Sequence, residues 1–92
     1  MTYTEASTNV IGRDNDSATL DSNDRRKKLI ITNTTNGAVL FVKLSDQAAT
    51  VGVSDHDFVL TARQTNGATI VIDNYTGPVK ASATTVNYLE LG

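Results

Sequence analysis

The sequence predicts an all-β chain: one small β-sandwich or barrel of seven to eight mostly antiparallel strands. Three observations carry this prediction. Thr, Ser, Asn and Val are abundant, a composition that suits pleated strands and turns better than helices. Short apolar runs recur along the chain, as in Leu29-Ile30-Ile31-Thr32, Phe58-Val59-Leu60 and Ile70-Val71-Ile72. Between them stand turn-forming pairs, Asn36-Gly37, Asn66-Gly67 and Gly77-Pro78. Ninety-two residues make one domain, which buries roughly 60 to 65% of its extended surface on folding. With no cysteine there is no disulfide framework or thiolate metal site, so stability comes from packing or from association with other chains.

Residues 1–24 are the least regular part. They divide from residues 25–92, the sandwich domain, as an acidic arm: Arg13 stands against Glu5, Asp14, Asp16, Asp21 and Asp24. Residues 2–10, anchored by Tyr3, and residues 17–20 are weak strand candidates, and an arm ordered only on a partner fits the composition equally well. Arg25, Arg26, Lys27 and Lys28 then restore four positive charges in succession.

Residues 25–45 carry the clearest local pattern. Two apolar runs flank Asn36-Gly37, the pair best suited to a type I′ turn, and predict a β-hairpin. Alternation places Leu29, Ile31 and Asn33 on one face with Leu40, Val42 and Leu44, the core face. Ile30, Val39 and Phe41 fall on the other face, which is more apolar than a solvated surface requires. Residues 47–54 read as a loop or short edge strand, and residues 57–62 as a strand. Thr65-Asn66-Gly67-Ala68 repeats Thr35-Asn36-Gly37-Ala38 thirty positions later. The repeat fits either a duplicated hairpin or the general use of Asn-Gly in hairpins, and the poor strand formers before it favour a longer loop. Residues 68–75 form a strand with Ile70 and Ile72 opposite Val71. Tyr75-Thr76-Gly77-Pro78 turns the chain, and two strands follow, the last alternating Val86, Tyr88 and Glu90 against Asn87, Leu89 and Leu91.

No catalytic motif emerges. His56 lies between Asp55 and Asp57, but neighbours in a strand point to opposite faces, so a shared site needs a loop; a solvated loop histidine is the simpler reading. Asp14-Asn15-Asp16 opens like a calcium loop, yet the later ligand and glycine positions hold Ala18, Thr19 and Arg25, which rejects the EF-hand pattern and leaves only a looser site open. A nucleophilic serine turn is missing as well. The expectation is a non-enzyme with no cofactor and no metal. The net charge of −2 and the lack of aromatics among the basic residues argue against nucleic acid. The start of the chain lacks the pattern of a signal peptide, no segment approaches the length of a membrane span, and the two glycosylation sequons are read as coincidental. Arg25, Arg26, Lys27 and Lys28 are candidates for contact with an acidic protein surface, and Ile30, Val39 and Phe41 for contact between copies. Tyr3 and Tyr88 are the aromatics that a sugar-stacking surface would use.

From Ser17 onward, about four fifths of the chain resembles a group of small structural proteins of tailed bacteriophages. The resemblance rests on Ser17-Ala18-Thr19-Leu20, Asn23, the basic start of the RRKKLIITN segment, residues 39–44, Phe58, the IVIDNYTGP segment and residues 86–91. It departs from the pattern in the charged connection over residues 61–67 and in the acidic arm. No site residues carry over. The resemblance implies a β-sandwich component of the virion, made in the host cytoplasm, that decorates or cements the capsid surface. The implied partners are the major capsid protein and further copies of the chain, as a homotrimer, without nucleic acid or membrane. The alternative is a head-fibre or tail component that binds a carbohydrate or receptor.

Overall fold

The computed structural model describes residues 9–47, 50–63 and 68–92. Among these residues eight strands run in chain order: β1 (Val10–Asn15), β2 (Thr19–Leu20), β3 (Lys28–Asn33), β4 (Leu40–Lys43), β5 (Phe58–Leu60), β6 (Thr69–Asp73), β7 (Val79–Ala81) and β8 (Val86–Leu91). They form two four-stranded sheets, ordered β1-β8-β3-β6 and β2-β7-β4-β5, with every pairing antiparallel. The chain passes between sheets at nearly every connection, and this order is the connectivity of an eight-stranded jelly roll.

The inward faces meet in one core. Leu29, Ile31, Val86 and Tyr88 come from the first sheet, and Leu20, Leu40, Val42, Leu60, Val79 and Ala81 from the second. Each large aliphatic side chain buried there contributes roughly 1.5–3 kcal/mol. Leu29, Ile31, Leu40 and Val42 are essentially inaccessible, and Leu44 packs against them partly buried, as alternation predicts. Val86, Tyr88 and Glu90 likewise turn inward from β8.

The predicted hairpin over residues 25–45 is corrected. β3 pairs with β6 and β8, whereas β4 pairs with β5 and β7, so the two apolar runs lie in different sheets and face each other across the core. Their inward residues still meet, because alternation specifies a face and not the sheet that carries it. The side chain of Asn33 helps turn the chain away. Its Nδ2 donates to the carbonyls of Ala38 (3.0 Å) and Thr61 (2.9 Å), and its Oδ1 accepts the amide of Thr35 (3.0 Å). Asn36-Gly37 is thus an exposed bend in a connection between sheets. Residues 64–67, with the second Asn-Gly, lie outside the described residues; the strands on either side, β5 and β6, also belong to different sheets. A duplicated hairpin is therefore excluded.

Residues 10–20 are built into the sandwich: β1 is the outer strand of one sheet and β2 of the other. The strand candidate at residues 2–10 falls almost wholly outside the described residues. Residues 52–55 form a tight turn in which Gly52 and Asp55 exchange backbone hydrogen bonds of 3.1 Å. The predicted turn after β6 is present, held by the Tyr75 hydroxyl donating to the Pro78 carbonyl at 2.6 Å. A Cβ on Gly77 would lie 2.6 Å from that hydroxyl, so the bond needs glycine there.

Candidate interaction surfaces

The four basic residues do not act together. Asn23 accepts the Arg25 amide through Oδ1 (3.0 Å), and its carbonyl accepts the Arg26 amide (3.1 Å). This local turn sends the Arg26 side chain inward, where it is 1% exposed. Its guanidinium donates to the carbonyls of Asp21 (2.8 Å), Gly77 (3.0 Å) and Tyr75 (3.2 Å) and pairs with Glu90 Oε1 at 2.9 Å. The other Glu90 oxygen accepts Asn23 Nδ2 at 3.0 Å. Gly12 covers this carboxylate from β1, and a Cβ there would collide with it. Arg26 therefore joins the segment before β3, the turn after β6 and the end of β8. That placement corrects its assignment as a contact residue. Arg25 and Lys27 remain exposed, and Lys28 lies on the outer face of the first sheet, 3.6 Å from Asp73.

Sequence reasoning missed the Arg26–Glu90 clasp. The signal that could have found it is the inward phase of Glu90 in β8, since a buried carboxylate requires a cation or several donors. Nothing local distinguishes Arg26 from its basic neighbours.

Ile30, Val39 and Phe41 are divided between opposite sides of the sandwich. On the first sheet, Ile30 lies between Leu89 and Val71 in register, with Arg13 beyond Leu89. Thr32 and Thr69 approach through their hydroxyls at 3.3 Å beside this row. On the second sheet, Phe41 stands opposite Val59, and Val39 lies just ahead of β4. Val39 is 50% and Val59 45% exposed. The His56 ring covers one side of Phe41 at a centroid distance of 4.9 Å, and its Nδ1 lies 2.9 Å from the Gly52 carbonyl.

Beside this apolar patch is a polar margin. Lys43, two residues beyond Phe41, bonds Asp55 at 2.7 Å and lies 3.9 Å from Asp57. The hydrogen bond to Asp55 raises its pKa above the ordinary lysine value. Asp57 also accepts the Leu44 amide at 2.8 Å. Both aspartates flanking His56 thus engage other partners. Of the sugar-stacking candidates, Tyr88 is buried at 1% exposure and Tyr3 lies outside the described residues. Burial, reinforced by the charge of Asp14, pushes the Tyr88 hydroxyl well above the usual tyrosine pKa. Among the described residues, no three His, Cys, Asp or Glu side chains converge as metal ligands.

No protein-family model, no curated protein and no solved structure matches this chain.

Proposed function

We propose that this protein is a structural component of a tailed-phage virion that decorates or cements the capsid by bridging its subunits. The observation that carries the reading is the outer face of the second sheet. Phe41, partly buried beside the His56 ring, its register partner Val59 and the exposed Val39 just ahead of β4 form an apolar patch bordered by Lys43, Asp55 and Asp57, the apolar centre and charged margin of a protein-binding surface. The jelly-roll connectivity supports the reading by analogy of fold, because viral capsid domains use that architecture, as do lectins. Exposed Arg25 and Lys27 add positive charge away from the patch for contact with an acidic capsid surface.

The mechanism is noncovalent linkage. A domain that binds the assembled shell but not its separated subunits shifts the equilibrium toward the shell, as a ligand stabilises the folded state it binds. Cosedimentation of the purified protein with heads lacking it tests the reading. The parent protein binds and raises the temperature at which the heads rupture, whereas Phe41→Ser and Val59→Ser lose both effects while folding normally. Unimpaired binding by both variants would remove the patch from the interface, and failure of the parent to bind would remove the function.

A further inference from the structure

Among the described residues, four strands end the two sheets, and they are unequally protected. β2 has two residues and β5 three. β1 has an irregular register between Val10 and Gly12 and carries Arg13 and Asp14. All three show features that discourage pairing with another chain. β6 differs: its five residues pair with β3 without a register shift, no Lys, Arg or Pro interrupts them, and its one charged side chain, Asp73, stands at the end of the strand 3.6 Å from Lys28.

The phase of the hydrogen bonds shows which backbone groups β6 leaves open. Asn33 donates its amide to the Ala68 carbonyl, and Asn74 donates its amide to the Lys27 carbonyl. In an antiparallel ladder bonded residues alternate, so the residues of β6 bonded to β3 are Ile70 and Ile72. Thr69, Val71 and Asp73 turn their N–H and C=O groups outward, and among the described residues no strand pairs with that edge.

We propose that β6 pairs antiparallel with β6 of a second copy about a two-fold axis at Val71, joining the two β1-β8-β3-β6 sheets into one of eight strands. The sequence Thr69-Ile70-Val71-Ile72-Asp73 is nearly palindromic about its centre, which makes it complementary to itself in this register. Val71 meets its own counterpart, and Thr69 meets Asp73, a hydroxyl donor against a carboxylate. Each Ile70 meets Ile72. The outward groups fit about six backbone hydrogen bonds between the chains. Pairing would cover Val71, which is 51% exposed, and the partly buried Ile70 and Ile72. No like charges are opposed. A five-residue edge is small beside a standard interface of about 1,600 Å², so the pair dissociates on dilution. The pairing uses neither Phe41 nor a capsid and stands independently of the proposed function.

Light scattering coupled to size exclusion across a dilution series tests it, together with amide hydrogen exchange. The protein reaches twice its 9.8 kDa chain mass at the concentrated end, and the Val71 amide becomes protected in step with dimer formation. Val71→Pro removes an outward donor without touching the ladder to β3, and Val71→Lys sets two cations face to face; each holds the protein at one chain mass. Circular dichroism establishes that the variant is folded, and Val71→Lys decides the matter if the proline variant fails to fold. Chain mass for the parent at every concentration, a trimer mass, a dimer that survives Val71→Lys, or a Val71 amide that stays unprotected in the dimer would overturn the proposal.

Discussion

Replacing Arg26 with alanine tests the load on the clasp. The side chain is buried, and its guanidinium serves three carbonyls and the Glu90 carboxylate, whose side chain is only 9% exposed. Truncation leaves that carboxylate with Asn23 as its remaining side-chain partner, and removal of one member of a buried ion pair costs about 3–5 kcal/mol. A domain of this length has a total stability of about 5–14 kcal/mol, so Arg26→Ala removes a large fraction of it. The urea midpoint falls by roughly 1.5–5 M for a slope near 1–2 kcal/mol/M. Arg25→Ala and Lys27→Ala, at exposed positions, change stability by no more than about 0.5 kcal/mol. Arg26→Lys falls between, because an ammonium keeps the charge but not the planar fork that reaches four acceptors. Replacing the pair together, as Arg26→Met with Glu90→Leu, restores only the part of the loss that comes from the stranded carboxylate, since the three carbonyls still lose their donor. An Arg26→Ala variant within about 1 kcal/mol of Arg25→Ala would refute the reasoning.

Asn33→Ala removes the side chain that satisfies the backbone of Thr35, Ala38 and Thr61, and costs about 2–3 kcal/mol in urea unfolding. A loss below about 0.5 kcal/mol would mean that the connections between the sheets hold without it. Tyr88→Phe removes a buried hydroxyl that has no partner among the described residues, so stability at neutral pH is kept or rises by about 1 kcal/mol; a loss of that size would reveal a partner. In the parent, the unfolded chain releases the Tyr88 proton near its ordinary pKa of 10.0, while the folded chain holds it to higher pH. Stability is therefore independent of this proton below pH 10 and declines as pH rises above it. Absorbance of tyrosinate should therefore show Tyr88 ionising with unfolding, and its ionisation in the folded protein near pH 10 would contradict the burial. Phe41→Ser lowers folding stability by less than about 1.5 kcal/mol while abolishing head binding, and an equal loss of both would place Phe41 in the scaffold.

Alternation made part of the inside of the molecule legible: Leu29, Ile31, Leu40 and Val42 are buried as their periodicity predicts, whereas in β8 it separated Val86 and Tyr88 from Asn87 and Leu89 without showing which set turns inward. It could not specify which strands pair. A two-residue hairpin and a crossing between sheets both bring Leu29 and Ile31 against Leu40 and Val42, and the choice rests on long-range partners such as β8 and on the hydrogen bonds of Asn33. The surfaces were half legible. Ile30 and Phe41 were recognised as too apolar for outward positions, but pairing in different sheets places them on opposite faces. Arg26 was hidden because its inward course follows from a turn at Asn23 and a carboxylate sixty-four residues away. The pairing edge was hidden for a related reason: β6 reads as an ordinary strand until its position at the end of a sheet is known.

Mass spectrometry of phage particles purified from cells expressing this gene bears most directly on the claim that the protein belongs to a virion. The chain is expected in many copies in purified particles and is depleted from them by Phe41→Ser, with the variant still folded in the lysate. Its absence from the particles, or undiminished incorporation of the folded variant, would contradict the proposed function or the face assigned to it, respectively.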